Sequence, residues 1–227
     1  MGTLDTAPLW LTFQLATLTT ICLLVLSIPL AYWLAYTHSR IKPAIEAIVS
    51  MPLVLPPTVL GFYLLVAFSP SDGVGKWLHE NLGLQLVFSF EGLVLASILY
   101  SLPFMVHPIQ SGLSNLPASY REAASLMGKS HIETLWRVLL PNIKPSLLTG
   151  IVLAFAHTIG EFGVVLMIGG NIPGQTRVAA IAVYDEVESM NYKAANQYSL
   201  ILFVLSFLIL LAVYMYNGKG LSKMFSR

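Results

Sequence analysis

Apolar residues are concentrated in five stretches of the chain, and short polar or charged segments separate these stretches. An α-helix needs about 20 predominantly apolar residues to cross roughly 30 Å of hydrocarbon. The five stretches are long enough or nearly so, and the third and fifth are the shortest. The pattern therefore predicts about five membrane-spanning helices, at residues 10–36, 45–68, 92–108, 147–168 and 199–216.

The composition supports this interpretation. Hydrophobic residues make up 56% of the 227 residues and charged residues only 10%, whereas a soluble domain carries about 25% charged residues. Cys22 is the single cysteine, so no disulfide framework can form within one chain. We predict an all-α, polytopic transmembrane helical bundle surrounded by membrane lipid, with residues 1–227 forming a single transmembrane domain.

The distribution of positive charge predicts the orientation. Membrane proteins carry an excess of Lys and Arg in their cytoplasmic segments. An external amino terminus places three of the 12 Lys and Arg outside, namely Lys76, Arg177 and Lys193, and the other nine in the cytoplasm with the carboxy terminus. The net charge of +1, without a basic patch interleaved with aromatic residues, gives no reason to expect nucleic acid as a partner.

Residues 117–141 are a polar, helix-prone segment between two apolar stretches, and the orientation above places them in the cytoplasm. Ser119 with Glu122, and Ser130 with Glu133, have the S-x-x-E spacing of capping boxes that begin helices. Gly128 lies where the first helix needs a residue with positive φ to end. These signals predict a helical hairpin with an apolar knob made of Leu126, Met127, Ile132, Leu135 and Trp136.

The spacing within this hairpin resembles the EAA pattern of ATP-binding-cassette importer permeases. The matching residues are Glu122, Ala123, Ala124, Gly128, Leu140 and Pro141, and Val138 stands where isoleucine is usual. The resemblance implies that Glu122, Ala123, Ala124, Gly128 and Pro141 belong to a hairpin that couples the permease to an ATPase.

Three further blocks resemble the molybdate branch of these permeases: MPLVLPPTVLGFYLLV at 51–66, SFEGLVLASILYSLPFMV at 89–106 and LAFAHTIGEFGVVLMIGGNIPGQT at 153–176. The resemblance implies a permease for an oxyanion, molybdate above all, in the cell (inner) membrane. The implied partners are a second copy of the chain, ATP-binding cassette ATPase subunits and an external solute-binding protein. It implies no cofactor, no metal site and no catalytic residue in this chain.

Other functions fit the sequence less well. Sulfate and tungstate permeases share much of the same pattern. An ion-coupled secondary transporter remains an alternative, although the sequence lacks repeated halves. An intramembrane enzyme would need catalytic residues, and no paired catalytic carboxylates or H-E-x-x-H motif is evident. The Gly128-Lys129-Ser130 triplet is not the end of a phosphate-binding loop, because that motif requires glycine at position 123, where Ala123 stands.

Two groups of residues are candidates for the translocation path or a helix interface. Pro52, Pro56 and Pro57 remove backbone donors within the second apolar stretch, and lipid cannot satisfy the carbonyls that they free. His157 and Glu161 are four residues apart, so an unbroken helix places them on one face at membrane depth, where ionisable groups usually pair. A structural kink and a structural pair are the alternatives.

A predicted outer loop at 169–197 contains the apolar run 178–184, which is too short to span the membrane. We expect this run to re-enter or cover the mouth of the bundle. Asp185, Glu186 and Glu188 follow it, and they are placed either to meet a binding protein or to form a solvated acidic loop.

Overall fold

A computed structural model describes residues 4–71 and 73–225 of the chain. All regular structure in these residues is helical, which confirms the predicted fold class. The elements are α1 (Ala7–Tyr36), α2 (Lys42–Val54), α3 (Pro57–Ala67), α4 (Gly73–Leu82), α5 (Phe90–Ser114), α6 (Ser119–Leu126), α7 (His131–Thr134), a π-helical turn (Leu135–Leu139), α8 (Leu140–Asn142), α9 (Lys144–Gly160), α10 (Gly163–Gly169), α11 (Ala179–Glu188) and α12 (Tyr192–Phe225).

Within the described residues, three unbroken helices are long and apolar enough to cross a membrane: α1, α5 and the Tyr192–Val213 part of α12. Two bent helix pairs bring the number to five if each pair is one span. The third span is longer than predicted, because Pro103 and Pro108 lie inside α5 without ending it. Neighbouring helices can satisfy backbone groups that an internal proline leaves free.

The second predicted span is broken rather than kinked. Its two halves, α2 and α3, meet at Leu55 and Pro56 with a bend of 114°. The fourth predicted span is interrupted as well, because α9 ends at Gly160 and α10 begins at Gly163. The second arm of the hairpin, at 131–142, leads into α9 through a bend of 83°.

Helix α5 lies at the centre of the bundle, where it packs against α1 and α9. One buried cluster lies near the end of the bundle that carries residues 115–143, which we call the hairpin end; it includes Leu34, Met105, Ile109 and Leu139. A second cluster at the opposite end joins α1, α5, α10 and α11. Lipid tails are as apolar as these side chains, so close packing and hydrogen bonds hold such helices together.

Of the three unbroken spans, α12 is the least covered, with only 6% of its apolar window buried inside the protomer. A helix that is hydrophobic on all sides has to contact either lipid or another protein surface. Most of the Tyr192–Val213 part of α12 is therefore free to contact lipid or a second subunit.

Candidate functional site

The turn of the hairpin has the geometry of a Schellman motif. The Lys129 amide donates to the Ala124 carbonyl (3.0 Å) and the Gly128 amide donates to the Ser125 carbonyl (3.0 Å). Gly128 has a φ of +70°, as the sequence predicted. A glycine at this position ends α6 and reverses the chain into α7.

The start of the second arm is capped as predicted. The Ser130 hydroxyl oxygen accepts a hydrogen bond from the Glu133 amide (3.2 Å). The Glu133 carboxylate binds the Lys129 ammonium (2.5 Å) and the Arg137 guanidinium (3.0 Å). These contacts join the turn to the arm that follows it.

The predicted capping role of Ser119 was wrong. Ser119 is the first residue of α6, the cap position belongs to Ala118, and no side chain caps this end. The chain enters α6 through tight turns, in which the Tyr120 amide donates to the Pro117 carbonyl and the Arg121 amide donates to the Ala118 carbonyl. The turn thus begins the helix without the serine hydroxyl.

The hairpin presents an apolar surface to its surroundings. Leu126 is 90% exposed, Met127 74%, Ile132 73% and Trp136 58%. Leu135, which we predicted to belong to this surface, is instead buried against the bundle. Neighbouring residues lie about 100° apart around an α-helix of 3.6 residues per turn, so Leu135 can face the bundle while Trp136 stays outside.

The opposite face of the hairpin is fixed to the bundle. Ala124 of the EAA pattern is buried, whereas Glu122, Ala123 and Pro141 are exposed. Arg121 lies over the Tyr36 ring at 4.0 Å, and the Tyr36 hydroxyl donates to the carbonyl of Leu113 at the end of α5 (2.8 Å). These contacts attach the hairpin to α1 and α5.

The two helix breaks lie against each other, and we call them the crossed breaks. A Cβ atom added at Gly163, the first residue of α10, would lie 2.7 Å from the Pro57 Cβ at the start of α3. A Cβ atom added at Gly61 would lie 2.7 Å from the Met167 Cβ. Small residues thus allow α3 and α10 to approach closely. The sequence showed the prolines of one break, but it gave no sign that Gly163 packs on Pro57.

His157 is bound by α5 rather than by Glu161. Its Nδ1 atom lies 3.0 Å from the Ser101 hydroxyl, and its ring stacks on the Phe104 ring with centroids 4.0 Å apart. The Tyr100 ring of α5 also contacts His157, and the centroids of these two rings are 4.9 Å apart. The sequence analysis missed these partners, which lie more than 50 residues away and share no local pattern with His157.

Glu161 does not continue the helix that carries His157, so the predicted shared face and pairing were wrong. It follows the end of α9 in an extended conformation, with φ −72° and ψ 129°. The carboxylate is buried and accepts a hydrogen bond from the Val164 amide (2.8 Å). Glu161 thus holds the start of α10 in place.

The predicted outer loop folds onto the end of the bundle opposite the hairpin. The apolar run forms much of α11, and the Ala179 amide donates to the Thr12 hydroxyl of α1 (2.8 Å). Arg177 binds Asp185 (2.6 Å). The Tyr184 hydroxyl donates to Glu188 (2.5 Å), which raises the pKa of Tyr184. The acidic residues therefore have partners within the loop, and the run covers the bundle as expected.

No group of three or more His, Cys, Asp or Glu side chains capable of holding a metal ion occurs in the part of the chain that the structure describes. The exposed hairpin and the crossed helix breaks are the two features that suit a transport function.

Comparisons with known proteins agree with this geometry. The chain is 49% identical over 211 residues to the molybdenum transport system permease protein ModB of Azotobacter vinelandii, with 92% of this chain and 93% of the relative covered. It is 34% identical over 169 residues to a probable sulfate transport system permease protein, cysT, of Nephroselmis olivacea, with 74% of this chain and 59% of the relative covered.

A solved bacterial alginate ABC transporter, in complex with a periplasmic protein that holds an alginate pentasaccharide, has a chain with a TM-score of 0.76. The identity is 18%, and 96% of this chain and 80% of that chain are covered, so the likeness is one of fold alone. The family model described as "Binding-protein-dependent transport system inner membrane component" matches residues 27–219. The chain therefore belongs to the family of binding-protein-dependent transport system inner membrane components.

Proposed function

We propose that this chain is the permease subunit of an ATP-driven importer for an oxyanion, and that the oxyanion is molybdate. The observation that carries the proposal is the hairpin. An importer-family chain exposes Leu126, Met127, Ile132 and Trp136 on one face of it while the other face is fixed to α1 and α5. Such a surface suits the docking of an ATPase subunit that lies outside the membrane, in the cytoplasm, and drives movement of the bundle.

The choice of molybdate rests on the relative that covers nearly the whole chain at 49% identity and is described as a molybdenum permease. Sulfate is the second candidate, because the probable sulfate permease is 34% identical. Import of a dianion against about 100 mV, negative inside, costs about 4.6 kcal/mol before any concentration gradient is added. This cost favours coupling to ATP over passive flow.

The proposed assembly contains two copies of this chain, cytoplasmic ATPase subunits that hydrolyse ATP and an external solute-binding protein. The bare apolar surface of α12 supports contact with lipid or with the second copy. The distribution of Lys and Arg supports an external amino terminus and a cytoplasmic hairpin. Glu122, Ala123, Ala124, Gly128 and Pro141 are then the coupling residues.

We also propose that the crossed breaks line the translocation path or the interface between helices. Broken helices are a known way to build transport sites at membrane depth, because their free backbone groups must face protein or water. Pro56 and Pro57 lie at one break, Pro52 lies in the last turn of α2 before it, and Glu161 belongs to the other break. His157 lies one turn before the second break.

Reconstitution of this chain with its ATPase and binding protein in vesicles tests the proposal. Uptake of radiolabelled molybdate should require ATP and the binding protein, and unlabelled tungstate or sulfate should compete only as far as the binding protein accepts them. Uptake that follows an ion gradient without the ATPase would refute the importer assignment. ATP-driven uptake of sulfate but not molybdate would refute the choice of cargo.

A further inference from the structure

One face of α5 is polar and aromatic although the helix crosses the membrane. Tyr100, Phe104, His107, Ser111 and Ser114 follow each other at helical spacings of four and three residues, so they share this face. We call it the α5 stripe. From Tyr100 to Ser114 it covers about 21 Å at 1.5 Å per residue. Polar side chains in a spanning helix rarely face lipid. This face of α5 is therefore expected to contact protein or a water-filled cavity.

Helix α2 meets the hairpin end of the α5 stripe with polar side chains of its own. The Ser50 hydroxyl lies 3.1 Å from His107 Nε2. One turn closer to the hairpin end, the Gln110 amide donates to the Glu46 carboxylate (2.7 Å), which also lies 3.9 Å from the Lys42 ammonium. Ser50 lies about 12 Å along α2 from its first residue, more than two helical turns from the start of the helix.

The stripe is continuous with the site at the helix breaks. Phe104 stacks on His157, and the next residue of the stripe towards the hairpin end is His107. His107 and Ser50 are only half-buried within the protomer. Polar side chains at membrane depth usually face a bundle interior or a water-filled cavity rather than lipid. A row of such groups therefore runs from the crossed breaks to the hairpin end of the bundle.

On the basis of the proposed function, we infer that the cytoplasmic half of the translocation path runs along the α5 stripe and that His107, with Ser50, contacts the passing oxyanion. A tetrahedral oxyanion offers only acceptor oxygens, and a serine hydroxyl and an imidazole N–H are donors. Glu46 would repel the anion, but Gln110 and Lys42 already engage its carboxylate. The Ser50 hydroxyl and the His107 ring share one hydrogen bond, which leaves a donor of the pair for an anion, and both side chains are half-exposed.

Thiol labelling tests whether water and anions reach the stripe. The experiment uses the complete transporter in inside-out vesicles, with Cys22→Ala as the background, and single cysteines replacing Ser50 or Ser111. Ile48→Cys is the matched control, because Ile48 is exposed on the opposite face of α2 at similar depth. An anionic, membrane-impermeant methanethiosulfonate should modify the Ser50 and Ser111 variants at least about tenfold faster than the control, since a charged group is strongly excluded from hydrocarbon.

Equal modification of all three variants, or none at the stripe, would overturn the inferred route. The labelling rate measures water access in the absence of cargo. Its result therefore tests the inferred route independently of whether the cargo is molybdate. Slower modification of Ser50→Cys in the presence of molybdate or sulfate would support contact with an anion. Modification that neither anion slows would refute that contact.

Two variants of His107 separate contact from packing. His107→Gln keeps an N–H donor, whereas His107→Leu keeps the bulk and loses it. We expect uptake by His107→Leu to fall about tenfold relative to His107→Gln, because a hydrogen bond to a charged group contributes at least about that factor. Labelling of Ser111→Cys should be unchanged in both, showing an intact fold. Equal uptake by the two variants would overturn the role of His107.

Discussion

Replacement of Gly128 by valine tests the link between the hairpin and ATP-driven transport. In the structure, a Cβ atom added at Gly128 has no neighbour within 4 Å, so no steric clash with the two arms is expected. The φ of +70° is the constraint. Residues other than glycine rarely adopt this conformation, and a β-branched side chain tolerates it least.

The magnitude follows from this constraint. An L-residue in the left-handed region costs about 1–2 kcal/mol relative to glycine. A free energy of that size lowers the population of the native turn by a factor of about 5–30. If the turn is lost, the hydrogen bonds of the Gly128 and Lys129 amides break. The exposed side chains of Leu126 and Met127 are then no longer held in position. The spanning helices do not depend on this turn, so membrane insertion should remain.

Gly128→Asn is the matched control, because asparagine is enriched among non-glycine residues with positive φ. We expect Gly128→Val to bind the ATPase weakly and to lose most ATP-driven uptake at normal expression, whereas Gly128→Asn should keep most of it. Uptake in vesicles and co-purification of the ATPase measure both effects. Full uptake by Gly128→Val would refute the reasoning, and equal loss in Gly128→Asn would mean that the conformation is not the cause.

Three further predictions concern the breaks and the hairpin. Glu161→Gln should keep substantial uptake at matched expression, because an amide oxygen can still accept a hydrogen bond from the α10 backbone. Glu161→Lys should fail to transport, since a mispaired charge at this depth costs about 2.5–3.5 kcal/mol. Equal uptake by the two variants would contradict this prediction. Gly163→Ala should lower the melting temperature by forcing a methyl group to 2.7 Å from the proline that starts α3, whereas Gly160→Ala meets nothing within 4 Å and should melt near the native temperature; equal melting would refute the close approach. Ser130→Ala should destabilise the hairpin by about 0.5–2 kcal/mol through loss of a helix cap, measured as faster limited proteolysis there, and Ser119→Ala should have no such effect.

The sequence predicted best what local chemistry decides. The positive φ of Gly128 and the cap at Ser130 depend on residues close in the chain, and both were confirmed. Ser119 had the same spacing and failed, because the turn from Pro117 begins the helix one residue earlier. The burial of Leu135 was missed because the sequence does not show which face of the second arm packs against the bundle.

The candidate site was harder to predict, because its geometry depends on distant contacts. Prolines announced the break between α2 and α3, but nothing in the 147–168 stretch except Gly160 and Gly163 indicated an interruption. An uninterrupted helix was the simplest interpretation, and it led to the wrong pairing of His157 with Glu161. The Ser101 partner of His157 belongs to another helix, and a single sequence considered by itself carries no sign of that contact.

Glu161 poses a question for any anion transporter, because a buried carboxylate repels an anionic cargo. The structure suggests how the two are compatible. The carboxylate accepts from the Val164 amide at the start of α10, where the first backbone amides of a helix lack internal partners. A negative side chain is favourable at that end of a helix. The Val164 amide that Glu161 occupies is then unavailable to cargo, which favours donors on other helices. His107 and Ser50 lie on other helices and meet this requirement, so Glu161→Gln is informative when combined with His107→Leu. If repulsion by Glu161 limits passage, neutralising the carboxylate should increase uptake in the His107→Leu background. If Glu161 serves only to hold α10, uptake should be unchanged.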